Sequence, residues 1–281
     1  MKERPSITLL IAAFVASLLA SFVPFGHWVL YPFDLFGTFV HESCHALAAV
    51  MTGGRVEGMH VSWDTSGLTK TWGGWNVAIS TAGYLGSVVV GAALLLAARR
   101  ATRAQATLVI VGAATMLATL AFAGYGSKWV AMIGAGLGGT LLAVGVQRRS
   151  AEKSSVPALA SGGAVLLATT AYIAATGGLL TWAVGAGVGL VTLGVGAFAG
   201  RSVSHAYLMF LGAYTTLDSL RGLKMLFSIT VSSGDHTDAL NMAQFTGIPA
   251  TFWAVLWAFL GLWVVAGALW LFARDARELR S

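Results

Sequence analysis

Charged residues are scarce in this chain, and their scarcity excludes an ordinary soluble domain. Only 10% of its 281 residues are Asp, Glu, Lys or Arg, and 57% are hydrophobic, whereas soluble domains carry about 25% charged residues. Mean hydropathy is +0.77, and several apolar runs reach roughly 20 residues, the length at which a helix crosses the hydrocarbon core of a bilayer. We therefore predict a single integral membrane domain over residues 1–281, surrounded by a lipid bilayer.

Cysteine is nearly absent, and so are reactive side chains in the middle of the chain. Cys44 is the only cysteine, so no disulfide can form within one chain. Residues 98–203 consist mainly of Gly, Ala, Leu and Val, so we interpret them as additional packing helices.

The positive charges that produce the net charge of +6 lie in short clusters between apolar runs, as membrane topology signals do. They do not indicate a nucleic-acid partner.

The apolar runs predict about nine transmembrane helices, because lipid offers the backbone no hydrogen-bond partners. We expect the first run to be a span, because the next run follows within a few residues and no clear signal-peptide cleavage site separates them. Alternating residues around a turn-rich centre predict a β-hairpin at Gly53–Trp72, after the second span. The predicted fold is an all-α polytopic membrane protein with one small hairpin. The expected spans are about 7–23, 31–51, 77–98, 105–123, 128–146, 156–175, 179–199, 204–220 and 250–272.

The second predicted span carries the sequence His41-Glu42-Ser43-Cys44-His45. On a helix His41 and His45 lie on one face, one turn apart, where two imidazoles can hold one Zn²⁺. Glu42 beside them can act as a general base on a water molecule that the metal activates. Placing two histidines and a glutamate in apolar surroundings costs free energy unless they have a binding partner or a function. We therefore prefer a zinc site to a polar turn at a helix end.

A catalytic Zn²⁺ takes three protein ligands and leaves one position for water, so one ligand must come from elsewhere in the chain. Asp218, near the end of the eighth span, is the leading candidate, because a carboxylate at that depth is costly unless it is paired or metal-bound. The second and eighth spans cross in the same direction, which lets Asp218 meet the histidines at one depth. The polar segment Arg221–Gln244 supplies alternative ligands. They are Asp235, His236 and Asp238.

Two further residues of the second span, Cys44 and Asp34, lie close to the motif in sequence. Cys44 is one residue away from the stripe of the two histidines, so it faces away from the metal unless the helix is distorted. Asp34 lies one to two turns before His41. It is expected either to orient a metal-bound histidine, since such histidines usually donate their second N–H to an acceptor, or to cap the span.

The motif helix, the glycine-rich hairpin and the stretch Ala82–Ser87 together resemble the site-2-protease family of intramembrane zinc peptidases. The closer resemblance is to its M50B-like bacterial branch within peptidase family M50. In that family a Leu-Asp-Gly type motif in a later span supplies the third ligand, and Leu217–Ser219 is similar, with Ser in place of Gly. The resemblance implies a zinc metalloendopeptidase of the HExxH type in a bacterial cell membrane. It implies a protease-like core over residues 24–97 and 204–270.

These observations predict an intramembrane zinc metalloprotease that hydrolyses peptide bonds of membrane-associated protein or peptide substrates. Two other classes of function stay open. A catalytically inactive relative that binds clients would have no need of Glu42 as a base. A metal or solute transporter would need polar residues along several spans, which the middle spans lack. The positive-inside rule places the motif end of the bundle outside the cell, whereas the resemblance implies a site that opens toward the cytoplasm.

Overall fold

The computed structural model describes residues 6–20, 22, 25–125, 128–150, 156–176, 178–232 and 237–278. Within these residues the chain forms ten helices and one two-stranded antiparallel sheet, so the predicted helical fold with one hairpin is confirmed. The hairpin consists of β1 (Arg55–Val61) and β2 (Gly67–Trp72). The helices are α1 (Ile7–Ala20), α2 (Gly26–Met51), α3 (Asn76–Ala97), α4 (Ala101–Phe122), α5 (Lys128–Ser150), α6 (Val156–Ala175), α7 (Leu179–Phe198), α8 (Arg201–Ser232), α9 (Asp238–Thr246) and α10 (Ala250–Glu278).

Among the described residues, five helices are long and apolar enough to cross a membrane, so the prediction of nine spans is not confirmed. Helix α1 has only 14 residues, fewer than the roughly 20 that a span requires. Helices α2 and α8 are longer, but polar side chains lower their hydropathy: the motif residues in α2, and Asp218, Arg221 and Lys224 in α8. The five helices are α3, α4, Pro157–Ala175 of α6, α7 and Ala250–Arg274 of α10.

Glycines allow α4, α7 and α2 to pack closely behind the motif. A Cβ atom added at Gly112 of α4 would lie 2.5 Å from the backbone nitrogen of Leu193 and 2.7 Å from the carbonyl oxygen of Gly189, both in α7. A Cβ atom at Gly185 of α7 would lie 2.6 Å from a ring carbon of Phe39 in α2. Small residues permit such close helix approach. Two of the predicted packing helices, α4 and α7, therefore support the helix that carries the motif.

The hairpin lies between α2 and the segment that follows α4. The Thr38 hydroxyl of α2 donates a hydrogen bond of 2.6 Å to the carbonyl of Thr65 in the turn. On the other side of the sheet, the backbone N–H of Gly124 donates a 2.8 Å hydrogen bond to the carbonyl of Met59 in β1. The outer edge of β1 is therefore covered, and β2 forms the second edge of the described sheet.

The segment Arg221–Gln244, predicted to be a polar loop, is helical over most of its described part. Helix α8 extends well beyond the expected end of its span, and α9 begins at Asp238. The Thr237 side chain caps α9 by accepting a hydrogen bond from the backbone of the first turn. Ala239 and Met242 are fully buried among apolar side chains of α3, α8 and α10. This apolar face fixes the start of α9 inside the bundle.

The close packing of α4 on α7 predicts that Gly112→Ala lowers the thermal unfolding midpoint in detergent, because the added methyl group forces the helices apart. Overpacking of this kind costs about 1–3 kcal/mol. The control is Gly187→Ala in α7, where an added Cβ atom meets nothing within 4 Å. Its midpoint should stay the same or rise, because Ala favours a helix over Gly. Equal midpoints for the two variants would contradict the described packing.

Candidate metal centre

Helix α2 places two histidine side chains one turn apart inside the bundle. The Nε2 atoms of His41 and His45 are 3.0 Å apart, and the two rings meet edge to face with their centroids 4.7 Å apart. The side chain of His45 is 9% exposed and that of His41 is 21% exposed. The pair is therefore largely buried but retains access to solvent.

Helix α3 holds both imidazole rings. Nδ1 of His45 lies 2.6 Å from the carbonyl oxygen of Ile79. Because a carbonyl oxygen only accepts, Nδ1 carries a proton, which leaves Nε2 as the nitrogen that can bind a metal. The ring of Tyr84 packs edge to face against His41, with centroids 4.6 Å apart. Gly83 makes this approach possible, since a Cβ atom there would overlap the Nε2 atoms of both histidines.

Asp238, the first residue of α9, completes a group of three potential metal ligands. Its Oδ2 atom lies 3.3 Å from Nε2 of His41 and 3.1 Å from Nε2 of His45. Tetrahedral Zn²⁺ with bonds of roughly 2.0–2.1 Å separates its ligand atoms by about 3.3 Å. The three donor atoms are therefore spaced as zinc requires, and their types, two imidazoles and a carboxylate, are those of catalytic zinc sites.

The electrostatics of the cluster favour an ionised Asp238. Burial tends to raise the pKa of this carboxyl group, but the neighbouring imidazoles of His45 and His41 hold the pKa well below its usual range. The position of Asp238 in the first turn of α9 acts in the same direction, because the N-terminus of a helix stabilises negative charge. The carboxylate is therefore available as an anionic ligand at neutral pH.

Asp218, the ligand expected from the sequence, is not part of this cluster. Its carboxylate in α8 packs against Gly37 of α2, one turn before His41. Asp34, expected to orient a histidine or to cap its span, instead accepts a hydrogen bond from the Tyr214 hydroxyl. Of the loop alternatives, the structure brings Asp238 to the histidines, while Asp235 and His236 lie outside the described residues. The structure therefore places Asp238, and not Asp218, beside the two histidines.

The sequence contained a signal for α9 that the prediction did not use. Ordering a returning segment costs about 1–2 kcal/mol of conformational entropy per residue, which counts against a ligand from this segment. Burial of Ala239 and Met242 offsets the cost. The cap at Thr237 and the apolar residues three positions apart are typical of an amphipathic helix start. This pattern could have identified Asp238 as a residue with a fixed position.

Glu42, the predicted base, contacts the hairpin. Its side chain is buried, with 5% of the residue exposed, and its Oε2 atom accepts a hydrogen bond from the Thr69 hydroxyl of β2. Cys44 faces Gly86 of α3 and is not among the three clustered ligands.

The contact at Gly83 predicts that Gly83→Ala abolishes stoichiometric zinc binding, because its methyl group would occupy the space of the two Nε2 atoms. Zinc content of the purified protein measures this loss. The matched control is Gly91→Ala, which also adds a methyl group to α3, in this case 2.7 Å from the Thr216 hydroxyl, but away from the histidines. Zinc retained in Gly83→Ala, or lost equally in both variants, would contradict the described role of Gly83.

One comparison with known proteins identifies a family for this chain. The sequence profile described as Peptidase M50B-like matches residues 9–147 and 122–268, and these two overlapping segments include the middle helices. No curated protein matches the chain, and no solved structure does. The apolar helices indicate a multi-pass membrane protein. Because the matched segments cover nearly the whole sequence, this chain belongs to the Peptidase M50B-like family.

Proposed function

We propose that this protein is an intramembrane zinc metalloprotease that hydrolyses peptide bonds of membrane-associated protein or peptide substrates. The observation that carries the proposal is the cluster of His41, His45 and Asp238, with Glu42 adjacent to it in sequence. Membership in a peptidase family supports the same activity. The resemblance of the motifs to a bacterial branch supports a location in a bacterial cell membrane. The proposal includes no nucleic-acid partner.

In the proposed mechanism, His41, His45 and Asp238 would hold the metal. When bound, Zn²⁺ supplies Lewis acidity, which lowers the pKa of water to about 7 and polarises the scissile carbonyl. Glu42 takes a proton from the attacking water and returns it to the leaving amine. The low dielectric of the bundle strengthens these electrostatic interactions.

The proposed substrate is bound in an extended conformation. A transmembrane helix must first unwind locally, because its amide groups are hydrogen-bonded internally. An extended segment can then add to the edge of a sheet through backbone hydrogen bonds. Since Gly124 covers the outer edge of β1, we propose β2 as the strand to which substrate adds.

Two other functions receive less support from the structure. A client-binding protein without activity has no use for a carboxylate held in place like that of Glu42. A metal or solute transporter would need polar residues along several spans, and the sequences of α4 to α7 contain few. The polar side chains of the proposed site, His41, Glu42, His45 and Asp238, instead lie on α2 or beside it.

The role of Glu42 as the base predicts that Glu42→Gln lowers cleavage of a single-span membrane reporter by about 100-fold or more, with zinc content unchanged, because a base and no ligand is removed. The matched control is Glu57→Gln. Glu57 is an exposed hairpin glutamate that accepts a hydrogen bond from the Trp72 indole, and its loss should leave cleavage near the wild-type rate. Cleavage by Glu42→Gln at the wild-type rate would rule out the mechanism.

The proposed ligand set predicts different effects for two aspartates. Asp238→Asn should weaken zinc binding by about 100-fold or more and should lower activity with it. A loss of this size exceeds the loss caused by mutation of residues outside the coordination shell. Asp218→Asn removes a carboxylate from α8 and should leave zinc affinity nearly unchanged. Titration of both variants with a zinc chelator measures the difference. Easier release of zinc from Asp218→Asn than from Asp238→Asn would return the third ligand to α8.

A further inference from the structure

The inner face of β2 contacts the carboxylate of Glu42 at two positions. Gly67 and Thr69 alternate along the strand and therefore share one face, which lies on α2. The Thr69 hydroxyl is 2.6 Å from Oε2 of Glu42 and 3.1 Å from its backbone carbonyl. A hydroxyl has a single proton to donate, and the shorter bond, to the charged oxygen, is the stronger of the two.

Gly67 provides the space for the other carboxylate oxygen. A Cβ atom at this position would lie 2.5 Å from Oε1 of Glu42 and 2.7 Å from a methyl carbon of Thr38. The backbone of Gly67 does not have a positive φ, so the conformation itself is open to other residues. Glycine is therefore needed here because Glu42 occupies the space that a side chain would fill.

The hairpin has other bonds that hold it on the bundle. Thr38 donates to the carbonyl of Thr65, and the Tyr31 hydroxyl donates a 2.6 Å bond to the carbonyl of Trp63. The backbone N–H of Val61 donates to the hydroxyl of Thr181 at 2.8 Å, and Gly124 binds the outer edge of β1. The bond from Thr69 is thus one of several docking contacts, and among them it is the one made to Glu42.

We infer that β2 positions the proposed base: Thr69 orients the Glu42 carboxylate through Oε2, and Gly67 leaves the space that Oε1 requires. This inference rests on the proposed function for its effect on turnover, but the contact itself can be tested separately. A carboxylate without this partner can rotate away from the position in which it reaches the attacking water. Thr69 is therefore a positioning residue, and its hydroxyl is the part that matters.

The first experiment compares kcat and KM on a single-span membrane reporter for variants of the zinc-loaded protein. Thr69→Val should lower kcat by about 10- to 100-fold, the effect of a displaced catalytic group, with KM and zinc content unchanged. Thr69→Ser keeps the hydroxyl and should restore kcat to within a few-fold of wild type. Gly67→Ala should lower kcat in the same way as Thr69→Val, because the methyl group displaces Glu42.

Two control variants separate orientation of the base from docking of the hairpin. Thr38→Val removes a 2.6 Å bond between hairpin and helix without touching the hydrogen bond to Glu42. Thr181→Val makes the same substitution in α7 and removes the hydroxyl that accepts the N–H of Val61. Both should keep kcat near wild type. The inference is overturned by wild-type kcat in Thr69→Val, by equal losses in Thr69→Ser and Thr69→Val, or by an equal loss in Thr38→Val.

A second measurement tests the contact without any catalytic assay. The infrared carboxylate band of Glu42 is the band that disappears in Glu42→Gln. It should shift in Thr69→Val and stay in place in Thr69→Ser and Thr181→Val. A band that does not move in Thr69→Val overturns the inference whether or not the protein is a protease. Absence of reporter cleavage by the wild type, together with the shifted band, would instead contradict the proposed function and leave the contact confirmed.

Discussion

The contact between α2 and α3 at the two histidines is the constraint on which the metal centre depends. Ile79 and Gly83 are four residues apart on α3 and so share one face. The carbonyl of Ile79 accepts the Nδ1 proton of His45, while Gly83 leaves space for both Nε2 atoms. One face of α3 therefore fixes the position of one proton on a proposed ligand and allows the helices to approach. A side chain at position 83 would separate the helices and remove both effects.

Residues with local signals could be predicted from the sequence. The spacing of His41 and His45 indicates one face of a helix, and the alternation after α2 indicates a hairpin; both depend only on residues near each other in the chain. The local signal at Thr237 predicts the start of a helix, but not that Asp238 lies beside the histidines. Asp238 reaches the histidines because α8 extends beyond its expected end and α9 returns to the bundle, and a depth argument based on straight spans favours Asp218 instead.

The predicted number of spans shows a second limit of sequence-based prediction. Hydropathy recognises a span by its lack of polar residues, but a site inside a bundle requires polar residues on the helices that form it. Helix α2 carries the histidines, and α8 carries Asp218 and Arg221 close to Asp34. The helices that carry these polar side chains are therefore those for which composition is least informative, whereas α3, α4, α6, α7 and α10 agree with the simple expectation.

The three proposed ligands are divided unequally between two helices. Both histidines belong to α2, which has 26 residues, whereas Asp238 belongs to α9, which has nine. In the proposed zinc site, detachment of α9 alone would leave two protein ligands, which seldom hold zinc tightly. The residence time of such a metal would then depend on the apolar contacts of Ala239 and Met242, and less on the contacts between α2 and α3.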